Sequence, residues 1–266
     1  MMQTASLNGV SIAYRDTGSG PAVVFLHGHP FDQSMWEPQV AALSSKYRVV
    51  TLDLRGYGAS EVPAVEATTL ATMATDVSAL LDHLYIDRAV VAGLSMGGQV
   101  AMAFADQFPQ RLSGLILAAT FPEADTAEVQ AARRAAADRF LNEGSVVPGG
   151  EMLPRLLAPA SLKRDPALAI KVFTMIANAP PAGAAAALRG RATRKDYSPT
   201  LRALAVPALI AVGTEDKYVS LDTARRMQAA IPSAQLEVFN GIGHLPNLEA
   251  PEHFNAVLHQ YLASLG

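Results

Sequence analysis

Short apolar runs alternate with helix-length stretches along most of the chain. Because side chains alternate between the two faces of a strand, runs that are apolar at most positions predict strands buried on both faces. Such strands are typical of a parallel sheet between two layers of helices, so we predict the α/β class. The predicted strands are residues 22–26, 48–52, 89–92, 112–118, 208–212 and 235–239, and the predicted helices are residues 35–45, 70–84, 99–105, 221–230 and 251–262. Residues 10–16 precede a Gly- and Pro-containing turn at 17–21 and are predicted to be the early strand of a hairpin.

One long stretch departs from this alternation. Residues 121–195 contain no convincing strand, and prolines divide them into helical pieces, of which 131–141 and 182–188 are rich in alanine. We interpret the alanines as a sign of helix propensity. The stretch is therefore predicted to be a helical insertion over the carboxyl edge of the sheet.

Composition narrows the function classes. The chain has 266 residues, enough to bury a large core, and half of them are hydrophobic. No run approaches the ~20 apolar residues of a membrane span, and the first residues do not resemble a signal peptide, so we expect a cytoplasmic protein without membrane contact. A net charge of −3 offers no basic face for nucleic acid. The absence of cysteine excludes disulfides, a thiolate nucleophile and cysteine metal sites.

Candidate chemistry begins at Ser95, within the sequence Gly-Leu-Ser-Met-Gly-Gly at residues 93–98. This G-x-S-x-G pattern follows a predicted strand and precedes a predicted helix, which is the order of a nucleophile elbow. The chain turns so sharply at such a serine that side chains at the flanking positions would collide, and glycine removes the collision. The turn leaves the serine Oγ accessible above the sheet, as a nucleophile must be.

A serine hydroxyl needs a base, and His244 is the best-placed histidine for that role. It lies in a Gly-rich loop after the strand at 235–239, and loops at the carboxyl ends of parallel strands carry the sites of open α/β sheets. The acid that orients the imidazole is expected after the preceding strand. Asp216 is favoured over Glu215 because its shorter side chain is held more rigidly, and Asp125 is a third candidate. The histidines on predicted helices are expected at the surface: His83, His253 and His259.

A tetrahedral intermediate also needs two N–H donors for its oxyanion. The backbone of Met96, directly after the serine, is the first candidate. The second is expected in a tight loop after an early central strand, and we assign it to the backbone of His29, with Gly28 permitting a close approach. The His27 side chain is interpreted as a structural pin of this loop, and the His29 imidazole is a further candidate for substrate contact.

Together these segments resemble the α/β-hydrolase fold superfamily. The motifs that carry the resemblance are Leu-His-Gly-His-Pro at 26–30, Asp-Leu-Arg-Gly-Tyr-Gly-Ala-Ser at 53–60, the elbow at 93–98, Gly-Thr-Glu-Asp at 213–216, and Gly-His at 243–244 followed by Pro-Glu at 251–252. The resemblance implies a mostly parallel eight-stranded sheet formed by residues 1–120 and 196–266, with a helical cap at 121–195. It also implies a triad in the order Ser95, Asp216, His244.

Within the superfamily the chain looks most like small carboxylesterases, 3-oxoadipate enol-lactonases and cofactor-free haloperoxidase-type enzymes. A serine at the elbow, where dehalogenases and epoxide hydrolases carry aspartate, implies attack on an acyl carbon. We therefore expect a hydrolase of small carboxylic esters or lactones that needs no cofactor or metal. The alternatives are C–C bond hydrolysis, acyl transfer or perhydrolysis, a lyase reaction, and a non-catalytic receptor. The sequence leaves the oligomeric state open and is compatible with a homo-oligomer.

The sequence offers two kinds of candidate for the substrate pocket, apolar residues and a basic run. The candidates for an apolar pocket are Gly28, Phe31, Trp36, Leu94 and Phe121, and each apolar side chain among them is equally explained as core. A basic run at the end of the predicted cap has two interpretations. Such a run is typical of a solvated face. Alternatively it meets a substrate carboxylate, as the resemblance to enol-lactonases implies. Its members are Arg189, Arg191, Arg194 and Lys195.

Overall fold

Eight strands form a single sheet in the computed structural model, which describes residues 1–266. The order across the sheet is β1-β2-β4-β3-β5-β6-β7-β8; β1 is antiparallel to β2, β2 is antiparallel to β4, and all other pairs are parallel. The predicted α/β class with a mostly parallel sheet is confirmed. The strands are β1 (Gln3–Leu7), β2 (Val10–Thr17), β3 (Ala22–Leu26), β4 (Arg48–Leu52), β5 (Ala89–Leu94), β6 (Leu112–Ala118), β7 (Ala208–Gly213) and β8 (Ala234–Phe239).

Twelve α-helices and two short 3-10 turns connect the strands. Several helices begin at a side-chain cap; for example, the hydroxyl of Thr69 accepts a hydrogen bond from the Thr72 N–H at 3.1 Å, which satisfies a donor that the first turn leaves unpaired. The helices are α1 (Glu37–Leu43), α2 (Leu70–His83), α3 (Met96–Gln107), α4 (Ala127–Glu143), α5 (Val146–Leu156), α6 (Pro159–Arg164), α7 (Pro166–Asn178), α8 (Pro181–Ala192), α9 (Ser198–Arg202), α10 (Leu221–Ala230), α11 (Pro246–Glu249) and α12 (Pro251–Ala263). None of them is both long and apolar enough to cross a lipid bilayer.

The hydrophobic core lies on both faces of the sheet. Along β3, Val24 and Leu26 face one buried cluster, while Val23 and Phe25 face the other. The first cluster includes the inner faces of α2 and α3, and the second includes those of α1 and α12. Helices on both faces explain why the strands are apolar at successive positions rather than at alternate ones.

The amino-terminal hairpin differs from the prediction. β2 pairs with β1, a strand not predicted, through the turn at Asn8 and Gly9, and β4 lies between β2 and β3. The predicted hairpin turn at 17–21 is therefore wrong. A Cβ at Gly18 would lie 2.3 Å from the carbonyl oxygen of Ser44, so this loop packs closely on the turn after α1. Gly18 and Gly20 allow this close approach, because a side chain at either position would overlap backbone atoms of the neighbouring turn.

Helices α4 to α8 occupy the segment between β6 and β7 that was predicted as a cap. Helix α8 packs against α4 and closely approaches the core: a Cβ at Gly183 would overlap the backbone of Gly56, and one at Gly190 would overlap the backbone of Thr68. The alanines at 184–187 are buried. The small side chains of α8 thus have a packing role beyond helix propensity, because larger ones would push the helix off the core.

Candidate active site

The backbone at Ser95 is strained in the way the elbow motif predicts. Ser95 connects β5 to α3 with φ 55° and ψ −114°, a conformation that residues other than glycine rarely adopt. Two hydrogen bonds hold the turn: its N–H donates to the carbonyl oxygen of Ala118 at 2.9 Å, and its carbonyl accepts from the Thr120 hydroxyl at 2.8 Å. The surrounding structure therefore maintains the strain.

Glycine is required on both sides of this turn. A Cβ at Gly93 would lie 2.2 Å from the backbone of Gly97, and a Cβ at Gly97 would lie 2.1 Å from the carbonyl oxygen of Leu26. Both contacts are with backbone atoms, which cannot move aside as a flexible side chain can. The elbow thus has its sharp form because β3, the end of β5 and the start of α3 approach within van der Waals distance.

Asp216 and His244 form a buried pair. The Nδ1 of His244 lies 2.9 and 3.0 Å from the two carboxylate oxygens of Asp216, and both side chains are almost completely buried. One of these oxygens also accepts from the N–H groups of Tyr218 and Val219, at 2.7 and 3.1 Å. Since an ionised carboxylate only accepts hydrogen bonds, Nδ1 carries the proton in this pair, and Nε2 of a neutral ring is an acceptor.

The loop that carries His244 is attached to the end of α5 and to the residues that follow it. The His244 N–H donates to the carbonyl oxygen of Leu156 at 2.8 Å. The buried carboxylate of Glu249 accepts from the Ala158 N–H at 2.9 Å and from the Leu245 N–H at 3.2 Å. These bonds fix the histidine loop directly to the helical segment above it.

The histidines after β3 have different surroundings from His244. The Leu54 N–H donates to Nε2 of His27 at 2.9 Å, so Nδ1 of His27 carries the proton and donates to the Gly28 carbonyl at 2.9 Å. Burial lowers the pKa of His27. The Nδ1 of His29 lies 2.7 Å from the Tyr57 hydroxyl, and burial, together with the charge of Arg191, holds the pKa of His29 well below its ordinary value. Both rings are therefore neutral and joined to the loops around them.

The backbone N–H groups of Met96, directly after Ser95, and of His29, which lines the same cavity as Ser95, are without an acceptor. Met96 is the first residue of α3, where an N–H has no acceptor within its own helix, and neither this N–H nor that of His29 donates to another group of the protein. The amino end of a helix also carries a partial positive charge. The N–H at the start of α3 is therefore free to donate to an oxygen outside the protein.

A cavity of 530 Å³ brings these groups together. Ser95, His244 and His29 all line it, although no hydrogen bond joins the Ser95 hydroxyl to the His244 ring. Its apolar wall comes from Ala119, Phe121, Phe140, Met152, Leu156 and Leu188. Four cationic side chains also line it, and no Asp or Glu does: Arg133, Arg155, Arg191 and Lys217. The structure contains no group of three or more His, Asp or Glu side chains placed to hold a metal ion.

Comparison with known proteins agrees with this architecture. A model of the α/β-hydrolase fold family matches residues 21–251, which is most of the chain. The chain belongs to this family. The α/β hydrolase is 32% identical over 256 residues to 3-oxoadipate enol-lactonase 1 of Acinetobacter baylyi, covering 96% of this chain and 94% of the relative.

Solved structures show the same similarity. An esterase from Thermogutta terrifontis, solved with malate bound, superposes with a TM-score of 0.96 at 36% identity, covering 100% of this chain and 99% of the other. The enol-lactonase from Burkholderia xenovorans superposes with a TM-score of 0.91 at 30% identity, covering 98% and 100%. These relatives support hydrolase activity for this α/β hydrolase.

The structure separates the candidates for the orienting acid. Asp216 contacts His244, whereas the Glu215 carboxylate lies 3.7 Å from Lys217 at the surface. Asp125 is buried and pairs with two arginines, and its carboxylate lies 2.7 Å from Arg194. Of the three carboxylates, Asp216 alone lies within hydrogen-bonding distance of His244.

Only Phe121 among the predicted pocket residues lines the cavity. Trp36 packs against Phe25 in the core, with ring centroids 4.8 Å apart, and Leu94 is fully buried in the same cluster. Phe31 borders a separate cavity of 290 Å³. Gly28 is buried against Leu94 and Phe31. Because adjacent side chains of a strand or turn point to opposite sides, a neighbour of a site residue in sequence need not face the site. We assign these four to the core and to loop packing.

Several cavity residues were not predicted from the sequence. Gln99 and Tyr218 line the cavity, as do Arg133, Arg155 and Phe140. Gln99 follows Ser95 by four residues, a spacing that places both on the same side of a helix start, so its position was available in the sequence. The others come from α4, α5 and the loop after β7, and no local pattern marks them, because their orientation depends on how these segments pack.

Proposed function

We propose that this α/β hydrolase cleaves small carboxylic esters or lactones through an acyl-enzyme on Ser95, with His244 as base and Asp216 as the acid that orients it. The observation that carries the proposal is the buried Asp216–His244 pair in the same cavity as a serine on a strained elbow. A strained backbone and a buried carboxylate both cost stability, and such features cluster at functional sites.

The reaction follows from the hydrogen-bonding roles of these groups. The Nε2 of His244 accepts the Ser95 proton while Oγ attacks the acyl carbon of the substrate. The N–H groups of His29 and Met96 stabilise the resulting oxyanion, and losing one such donor typically costs ~3–4 kcal/mol in the barrier. The intermediate collapses as the imidazolium returns its proton to the leaving alkoxide, which departs as the alcohol, or stays attached if the substrate is a lactone.

Water completes the cycle. His244 takes a proton from a water molecule, the oxygen attacks the acyl-enzyme, and a second oxyanion intermediate occupies the same two N–H groups. Its collapse returns the proton to Oγ of Ser95 and releases the carboxylic acid. Asp216 holds the proton on Nδ1 throughout and stabilises the imidazolium, without itself becoming protonated.

The test compares wild type with Ser95→Ala and Asp216→Asn on p-nitrophenyl acetate, p-nitrophenyl butyrate and γ-butyrolactone. We expect Ser95→Ala to abolish turnover and labelling by a fluorophosphonate probe. Asp216→Asn should lower kcat by roughly 10⁴-fold, since an amide favours the wrong tautomer of the histidine.

The matched control is Ser113→Ala on β6, a half-buried serine whose hydroxyl makes no hydrogen bond and which lies outside the cavity. It should behave as wild type in every assay. Turnover by Ser95→Ala at the wild-type rate would refute the proposal. If products form only when an alcohol or a peroxide is supplied as acyl acceptor, the enzyme transfers the acyl group from the same serine and does not hydrolyse the ester.

A further inference from the structure

Arg191 differs from every other cation in the basic run at the end of α8. Arg189 pairs with Asp138 at 2.8 Å, Arg194 with Asp125 at 2.7 Å and Lys195 with Asp106 at 2.6 Å. Arg191 forms no ion pair with any carboxylate, although it is only 7% exposed. The run is thus neither a solvated face nor a single binding cluster, because three of its members are already paired.

The surroundings of Arg191 make its charge costly. Burial lowers the pKa of the Arg191 guanidinium well below its usual range, and the nearby charges of Arg133 and Arg194 lower it further. Asp125 offsets part of this effect without contacting Arg191. A buried cation without a direct ion pair is unfavourable, and such residues are kept where they have a task other than stability. An anion bound beside Arg191 would remove this cost.

Gln99 fixes the direction of the guanidinium. The Nε of Arg191 donates to Oε1 of Gln99 at 3.0 Å, and both side chains line the cavity. Its two terminal nitrogens make no hydrogen bond within the protein. Their geometry matches the two oxygens of a carboxylate, which arginine binds through parallel hydrogen bonds.

Arg191 lines the same cavity as the candidate nucleophile, and its partner Gln99 is near Ser95 in sequence. Gln99 follows Ser95 by four residues at the start of α3, which corresponds to about 6 Å along a helix. Of the other cavity arginines, Arg133 pairs with Asp125, and the exposed Arg155 lies above the ring of Tyr218 at 4.8 Å. Arg191 is therefore the buried arginine of the cavity wall that has no ion pair.

We propose that Arg191, oriented by Gln99, binds a carboxylate carried by the substrate, so that the enzyme prefers esters or lactones with a negative charge a few bonds from the scissile group. This rests on the proposed function, since it names the substrate class of the same site. The apolar wall of the cavity contacts the carbon chain between the two ends of the substrate, and the guanidinium contacts its charged end.

The test uses two esters of equal length that differ in charge: mono-p-nitrophenyl succinate, which ends in a carboxylate, and p-nitrophenyl butyrate, which ends in a methyl group. The quantity measured is the ratio of their kcat/KM values. We expect Arg191→Met to lower this ratio by about 10- to 100-fold, which is the range for losing a charge-assisted hydrogen-bond pair. Arg191→Lys keeps the positive charge but lacks the paired N–H donors of the guanidinium, so it should give an intermediate ratio.

Arg189→Met is the matched control, because that arginine is on the same helix but pairs with Asp138 outside the cavity. Its ratio should equal that of wild type. An Arg191→Met ratio that equals the wild-type ratio would overturn the inference, and so would a ratio that falls equally in Arg189→Met.

A binding experiment separates this inference from the proposed function. The affinity of monomethyl succinate for Ser95→Ala and for the Ser95→Ala/Arg191→Met double variant is measured by calorimetry, which requires no turnover. Weaker binding by the double variant supports the carboxylate subsite even if wild type hydrolyses neither ester. Equal binding by both refutes the subsite even if ester hydrolysis through Ser95 is established.

Discussion

Replacing Glu249 should loosen the attachment of the His244 loop. Glu249 is 4% exposed, and its carboxylate accepts hydrogen bonds from the N–H groups of Ala158 and Leu245. Glu249→Ala leaves both donors without a partner, and each buried unpaired N–H costs about 1–3 kcal/mol. Removing a buried carboxylate also relieves its desolvation cost. We therefore expect the free energy of unfolding to fall by about 2–4 kcal/mol, in the lower part of the summed range.

Activity should respond as well, because Leu245 directly follows His244. A loop no longer held to the segment at Ala158 places the imidazole less accurately, and small displacements of a catalytic group cost up to about 100-fold in rate. We expect kcat on p-nitrophenyl butyrate to fall roughly 10- to 100-fold. KM should change less, since Glu249 does not line the cavity.

The measurements are urea unfolding at equilibrium and steady-state kinetics on the same preparations. Glu249→Gln retains one carbonyl acceptor and should recover about half of both losses. Glu66→Ala, at an exposed position, should match wild type. A loss of stability below about 0.5 kcal/mol would show that the amides find other partners. A large loss of stability with unchanged kcat would show that the attachment holds the fold together without positioning His244.

Two further predictions concern the elbow and the neutral histidines. Gly97→Ala should cost about 3 kcal/mol or more in urea unfolding, because the new Cβ meets a backbone oxygen at 2.1 Å, whereas Gly150→Ala, in a helix with open space around it, should be neutral or stabilising by up to about 1 kcal/mol. Equal effects would refute the steric argument. The pKa values of His27 and His29 are lowered from the ordinary 6.5, so the unfolded state binds protons first and stability is lost as the pH falls below about 6.5. The slope of the unfolding free energy is at most roughly 1.4 kcal/mol per pH unit for each such histidine, and His29→Gln should remove the contribution of His29, whose pKa is held well below its ordinary value. An unchanged slope in that variant would show that His29 becomes protonated in the folded state.

The candidate site was partly accessible from the sequence because some of its chemistry is local. The elbow requires glycine on both sides of Ser95, and residues 93–97 show this pattern within five consecutive positions. The place of His244, after the last strand, follows from the alternation of strands and helices. By contrast, the sequence could not separate pocket from core among the apolar residues near the elbow and after β3, of which Trp36 and Leu94 lie in the core.

The α/β class, the alternation of strands and helices after β1, and the need for glycine on both sides of the elbow serine followed from the sequence alone, since periodicity and short-range sterics act within a few residues. The tertiary structure decided which carboxylate meets the imidazole, Asp216 rather than Glu215, and which arginine of the basic run enters the cavity unpaired. It also decided that β2 pairs with β1 and β4. These outcomes depend on the directions of side chains from segments far apart in the chain, and such directions are set only when helices and sheet pack together.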